Sequence, residues 1–223
     1  MSGEAMVVGG YGQGDTSVTR VFDPGVGRWS YGPKMAVARA NFSLTRLWDG
    51  RLLAIGGEGG ASVPLTSVES LDAAAGAWTR SDRLRTARSG HSATRLNDGR
   101  VLVAGGNTVE GAENPVAEAE ISARRALGVV AEPPPVLGRS GHTATLLATG
   151  ELIVAGGTSG GVPTERVEIY DPVSKRWREV AKMNSARAGH TATLLGNGKL
   201  IVIGGYGAAG PLKTAELFDP ASG

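Results

Sequence analysis

Three histidines, four arginines, four glutamates and one tryptophan hold the candidate chemistry of this 223-residue chain. His91, His142 and His190 are its only histidines, and all three occupy one position of a repeating pattern. Imidazoles brought together from neighbouring repeats could share a metal ion. The first copy has Phe42 at that position and no carboxylate recurs beside it, so packing is the expected role and no metal or other cofactor is expected. Arg39, Arg88, Arg139 and Arg187 each lie three residues ahead of the Phe/His position. Four guanidinium groups around one opening would make a pocket for a carboxylate or phosphate. Glu69, Glu120, Glu168 and Glu216 recur in phase with them, with Arg20 at the glutamate position of the first copy. A repeated Arg–Glu ion pair is therefore the favoured expectation, with a ligand pocket as the alternative. Trp48 falls in a turn where the other copies have Asn97, Ala148 and Gly196, and it could stack on a sugar or a partner. The candidate ligand-binding residues are thus Arg39, Arg88, Arg139, Arg187 and Trp48. No catalytic residue is expected, because a serine nucleophile needs a base and an orienting acid, and no serine recurs with a histidine outside the repeat. The recurring Thr45, Thr94, Thr145 and Thr193 are read as strand formers.

The stretch 139–180 shows what must position these groups. His142 to Leu147 alternates and is threonine-rich, which predicts a half-buried strand. A tight turn at 148–150 follows, matched in other copies by Asp49-Gly50, Asp98-Gly99 and Asn197-Gly198, a hairpin signature. Leu152 to Ala155 is a continuous apolar run, as in a strand covered on both faces. It ends in Gly156-Gly157, which permits unusual backbone angles and close approach of another segment. Arg166 to Tyr170 stops at the turn signal Asp171-Pro172, and Arg176 to Val180 forms a fourth short strand carrying Trp177. One repeat is a four-stranded antiparallel meander.

The second glycine of the doublet falls at Gly10, Gly57, Gly106, Gly157 and Gly205, at intervals of 47, 49, 51 and 48 residues. A period near fifty residues points to a propeller. Phe22 and Trp29, Leu71 and Trp78, and Tyr170 and Trp177 are each seven apart. An apolar run, a double glycine, an aromatic and then a tryptophan resemble the kelch-repeat family, in its bacterial type, over essentially the whole chain. The resemblance implies an all-β propeller of radial four-stranded blades around a channel. It also implies that loops on one face bind partners, with arginines at this position often lining the pocket.

Composition narrows the function classes. A formal charge of +2 with no basic run gives no nucleic-acid footprint, although the pI is 9.1. The absence of cysteine excludes disulfides and thiolate metal sites, and closes the copper-radical route of galactose-oxidase-type propellers, which resemble this chain in their blades. Residues 1–5 do not read as a signal peptide, and no apolar run approaches the ~20 residues of a membrane span.

In order, the expected blades are 1–34 (partial), 35–83, 84–134, 135–182 and 183–223 (partial), about four and a half repeats. The first lacks its inner strand and the last its outer one, which predicts an incompletely closed propeller with open edges available for self-association. The third repeat degenerates after Gly106. Strands at about Ala117–Ser122 and Leu127–Val130 are expected there despite local helix propensity, followed by a stiff connector at 133–135. The loop from Asn107 to Pro115 is the longest and the best place for a grafted function. The expected function is a non-catalytic scaffold that binds a protein or peptide. The alternatives are a carbohydrate-binding or epimerase-like propeller, and a module of a larger protein with no activity of its own.

Overall fold

Each repeat folds into its own antiparallel sheet. The computed structural model describes residues 3–12, 17–72, 75–108, 115–122, 130–132, 135, 137–220 and 222. The first sheet is β1 (Ala5–Val8), β2 (Thr19–Asp23) and β3 (Arg28–Tyr31). The second is β4 (Ser43–Arg46), β5 (Leu52–Ile55), β6 (Ser67–Asp72) and β7 (Ala77–Arg83). The third is β8 (Ser92–Arg95), β9 (Val101–Ala104), β10 (Ala119–Ile121) and β11 (Val130–Glu132). The fourth is β12 (Thr143–Leu146) and β13 (Leu152–Ala155), then β16 (Val167–Asp171) and β17 (Arg176–Glu179), with a small loop hairpin of β14 (Thr158–Ser159) and β15 (Val162–Pro163) between. The fifth is β18 (Thr191–Leu194), β19 (Leu200–Ile203) and β22 (Ala215–Phe218), with the hairpin β20 (Tyr206–Gly207) and β21 (Gly210–Pro211). A single 3-10 turn occupies Gly60–Ser62, and no α-helix occurs among the described residues.

The hairpin turns work as the sequence requires, with one refinement. Gly50, Gly99, Gly150 and Gly198 have φ between 82° and 88°, whereas the residue before each stays at negative φ. These are three-residue turns with a left-handed glycine, so the aspartate is free to act as an acceptor. Asp49 and Asp98 accept the N–H of Arg51 and Arg100. In the third repeat the fourth strand is described at Val130–Glu132, meeting the expected Leu127–Val130 at Val130, and the third strand falls inside its expected span. Residues 123–129 and most of the loop 107–115 lie outside the described residues, as do Pro133 and Pro134 of the expected connector.

The sheets stack flank to flank. The inner strands β4, β8, β12 and β18 lie side by side in sequence order. Between the third and fourth sheets, Leu102, Ala104, Ala119 and Ile121 meet Leu152, Val154 and Tyr170, with Trp177 packed against them. The other three interfaces repeat this arrangement. The double glycine makes the stacking close enough. An added Cβ on Gly9, Gly56, Gly105 or Gly156 would come within 3 Å of the carbonyl oxygen of Arg39, Arg88, Arg139 or Arg187, one blade onward. The second glycine of each pair donates its N–H to that same carbonyl at 2.8–2.9 Å.

The array is open. Among the described residues no comparable packing joins the fifth sheet to the first. Gly204 meets nothing closer than 3.8 Å, where its four counterparts are tightly enclosed. Ile203 is 49 % exposed and Leu217 57 %, whereas their fourth-sheet counterparts Ala155 and Ile169 are almost fully buried. At the other end Val7 and Trp29 are more than half exposed. The fold is thus an incompletely closed all-β propeller.

Candidate functional site

The four arginines are inside the blades, where strand and loop meet. All are 0–1 % exposed. Arg88 donates to Glu120 at 2.5 Å and to the carbonyls of Gly105 and Glu118 at 2.9 Å. Arg39 pairs with Glu69 at 2.7 Å, Arg187 with Glu216 at 2.6 Å, and Arg139 with Glu168. Each arginine also donates to the carbonyl of the first glycine of its own blade, that is Gly56, Gly105, Gly156 or Gly204. The glutamates have further duties. Glu69 accepts the N–H groups of Ala36 and Val37, Glu120 those of Arg85 and Thr86, and Glu216 those of Asn184 and Ser185. Burial lowers the guanidinium pKa of Arg39, Arg88 and Arg139, and the glutamate beside each opposes that shift. The structure therefore brings each arginine to its glutamate rather than to a shared opening, which is the favoured expectation. The terminal guanidinium nitrogens that would serve an anionic ligand are engaged within the fold, while Nε of Arg39 and of Arg187 is buried without a protein partner.

The histidines are structural neighbours in a ladder rather than a cluster. The rings of His91, His142 and His190 fill the space over Gly56, Gly105 and Gly156 of the preceding blade, as Phe42 does over Gly9. His142 Nε2 shares a hydrogen bond with Ser92 Oγ, and His190 Nε2 with Thr143 Oγ1, both at 2.9 Å. Desolvation, then the nearby arginine, holds His91 and His142 down to about 3 and His190 down to about 4, so all three are neutral near pH 7. Among the described residues no group of three metal-ligating side chains converges. Trp48 stands apart on its hairpin turn, two-thirds exposed, with the Arg95 guanidinium 4.1 Å from its ring centroid.

The arginine loop and the double-glycine loop of each blade pair as a short antiparallel bridge: Ala40 with Glu58, Ser89 with Asn107, Ser140 with Thr158, Ala188 with Tyr206. Next to these bridges, at the start of the inner strands, runs a blade-to-blade chain of backbone hydrogen bonds. Gly90 N–H donates to Asn41, Gly141 to Gly90 and Gly189 to Gly141, at 2.8–3.0 Å. All four residues have φ between 48° and 63°. Asparagine is among the few side-chain-bearing residues that tolerate this region, so Asn41 alone of the four projects a side chain from the rim.

That side chain organises a polar cluster that the sequence reading did not single out. Asn41 Nδ2 donates to Tyr11 Oη at 2.8 Å and to Glu58 Oε1 at 2.6 Å. One blade on, Asn107 Nδ2 donates to Ser140 Oγ of the fourth blade at 3.0 Å, which lies 3.1 Å from Thr158 Oγ1. The Oδ1 atom of Asn107 is buried with no protein partner. Tyr11, Glu58, Asn107, Thr158 and Tyr206 all occupy one repeat position, the residue just after the double glycine. The signal was available: this position carries polar or aromatic residues that change from copy to copy, beside positions that scarcely vary.

Comparison with known proteins accords with this architecture. The model of the KLHDC2/KLHL20/DRC7 Kelch-repeats domain matches residues 45–222. The solved structure of YjhT superimposes with a TM-score of 0.78 at 16 % identity, over 97 % of this chain and 78 % of that one, a likeness of fold alone. No curated protein matches the sequence. The repeat spacing, the four-stranded blades and the family match together make this chain a member of the kelch-repeat family.

Proposed function

We propose that this protein is a non-catalytic binding scaffold that takes a protein or peptide segment at the rim of its double-glycine face. One observation carries the reading. Just after the double glycine, the five blades place Tyr11, Glu58, Asn107, Thr158 and Tyr206, with the two tyrosines exposed, Asn107 and Thr158 half-buried and Glu58 buried, while the surrounding positions are fixed by the fold. Tyr11 is 72 % exposed and Tyr206 62 %. Tyrosine offers apolar area together with a polar tip at low entropic cost, which suits recognition surfaces. Val63 and Val162 are also exposed, on the loops that follow Glu58 and Thr158. The buried ion pairs beneath hold these loops rigid, which reduces the ordering cost of binding.

A second reading, carbohydrate binding, is favoured by the Tyr11–Asn41–Glu58 hydrogen-bonded set, since a hydroxylated ring can both stack on tyrosine and exchange hydrogen bonds with amide and carboxylate. A peptide display library and a glycan array, each screened with the parent protein and with Asn41→Gly, Tyr11→Ala and Trp48→Ala, separate these readings. Asn41→Gly keeps the backbone conformation and removes the side chain. Loss of selected peptides in the two rim variants, with Trp48→Ala unaffected, is expected. Binding that survives both rim changes and fails in Trp48→Ala would place recognition on the opposite face and sink the proposal.

A further inference from the structure

The outer part of the second blade carries a small cleft in which like charges gather. It measures about 160 Å³ and is lined by Val37, Ser67, Arg80, Ser81, Asp82 and Arg83. A register shift creates it. Ser67 of β6 faces Arg83 of β7 and Glu69 faces Arg80, so three steps along β7 match two along β6. In a regular strand, residues three apart point to opposite faces. The extra residue of this bulge turns Arg80 and Arg83 to the same face, the one that carries Ser67 and Glu69.

The fourth blade shows how this place is closed elsewhere in the chain. Arg139 donates to the carbonyl of Arg166 as Arg39 does to that of Ser67, and Glu179 faces Glu168 as Arg80 faces Glu69. Arg166 and Glu179 therefore correspond to Ser67 and Arg80, and they form an ion pair at 3.4 Å. In the second blade the carboxylate has become a guanidinium, its partner a hydroxyl, and a second guanidinium is added. Among the described residues neither Arg80 nor Arg83 has a side-chain partner. Ser67 Oγ accepts from the buried Arg39 at 3.1 Å, which leaves its own proton to donate.

From this arrangement we infer that the cleft binds inorganic phosphate. Two guanidinium groups, with the hydroxyls of Ser67 and Ser81, supply donors for a tetrahedral oxyanion. Four water-sized oxygens need roughly 120 Å³, at about 30 Å³ each, which the cleft provides. Asp82 fixes which oxyanion enters. Its Oδ1 accepts the Arg83 N–H at 3.1 Å, and an ionised carboxylate accepts hydrogen bonds only, so it tolerates an anion oxygen only where that oxygen carries a proton. Inorganic phosphate keeps at least one proton near pH 7. Sulfate has none, and a phosphate monoester is mostly the dianion, its second pKa being about 6. The carboxylate among the arginines therefore selects free phosphate over both.

The probes are inorganic phosphate, inorganic sulfate and O-phosphoserine, each titrated by calorimetry into the full chain at pH 7 and constant ionic strength. Saturable binding of phosphate is expected, with sulfate and phosphoserine weaker by about ten-fold or more, because each lacks the hydrogen bond to Asp82. Arg80→Gln and Arg83→Gln are each expected to weaken phosphate by about ten-fold or more, since each removes a charge-assisted pair. Asp82→Asn is expected to bind phosphate and sulfate alike, a change of selectivity that loss of folding does not imitate. Arg178→Gln, at an exposed arginine of the fourth blade, is expected to leave phosphate affinity unchanged. No saturable phosphate binding would show that the arginines and the bulge only guard the β7 edge against strand pairing, and would overturn the inference. Equal affinity for phosphate and sulfate in the parent, selectivity that survives Asp82→Asn, or affinity unchanged in both arginine variants would overturn it as well.

Discussion

Replacing Arg88 by methionine tests whether the repeated arginines are struts or ligand groups. Methionine roughly matches the stem, so packing is largely kept. What is lost is a 2.5 Å bond to Glu120 and two bonds to carbonyls at 2.9 Å, all in a fully buried setting. Glu120, itself 1 % exposed, is left with a carboxylate whose remaining partners are the N–H groups of Arg85 and Thr86. Breaking a buried pair from one side costs about 3–5 kcal/mol. For a domain of this size that is a fall in the melting midpoint of roughly 6–20 °C, at about 2–4 °C per kcal/mol. Adding Glu120→Leu is expected to recover only part of the loss, because those two N–H groups would then be buried without an acceptor. The assay is denaturant unfolding of the parent, both single variants and the double variant at pH 7, which yields the coupling energy directly. A loss below about 1 kcal/mol for Arg88→Met, with a ligand that no longer binds, would refute the argument and return the arginines to the pocket role.

Three further outcomes follow from the same geometry. Gly105→Ala and Gly204→Ala both add a side chain at φ of +66°, but only Gly105 faces a carbonyl within 3 Å, so Gly105→Ala is expected to lose far more than the ~1–2 kcal/mol of left-handed strain, and Gly204→Ala only about that; equal losses would mean that the fifth blade is covered in solution. His91 is held to about 3, below its ordinary 6.5, so the unfolded chain binds the proton first and stability is complete above pH 6.5 and falls toward pH 3. This residue alone contributes a slope of up to about 1.4 kcal/mol per pH unit, and His91→Phe, copying Phe42, is expected to lessen the fall of the midpoint between pH 7 and 5, the remainder coming from His142 and His190. Trp48→Ala removes an exposed cation–π contact with Arg95 and is expected to cost at most about 1 kcal/mol by thermal unfolding; a larger loss would show that the turn is part of the blade interface.

Much of the fold was legible because it is made by local rules repeated in phase. The hairpin glycines, the apolar second strands and the seven-residue step to tryptophan each act within one blade, so spacing alone located them. The Arg–Glu pairing was readable only as the favoured of two options, since two charges recurring at one period meet in every copy if they meet in one. The third repeat was harder. Ala119–Ile121 is a strand because β9 offers an edge to pair with, and Val130–Glu132 because β10 then offers the next.

Recognition of the sequence stopped at contacts between blades. Tyr11, Asn41 and Glu58 are up to 47 residues apart and meet only because one blade docks on the next through its double glycine. Whether Arg88 points into the blade or into a pocket depends on the direction of its loop, which no periodicity records. The sequence by itself determined the blade, because backbone preference and hydrophobic period are short-range. The rim and the buried charge pairs were decided by tertiary structure, because each is a relation between surfaces that exist only once the blades have formed and stacked.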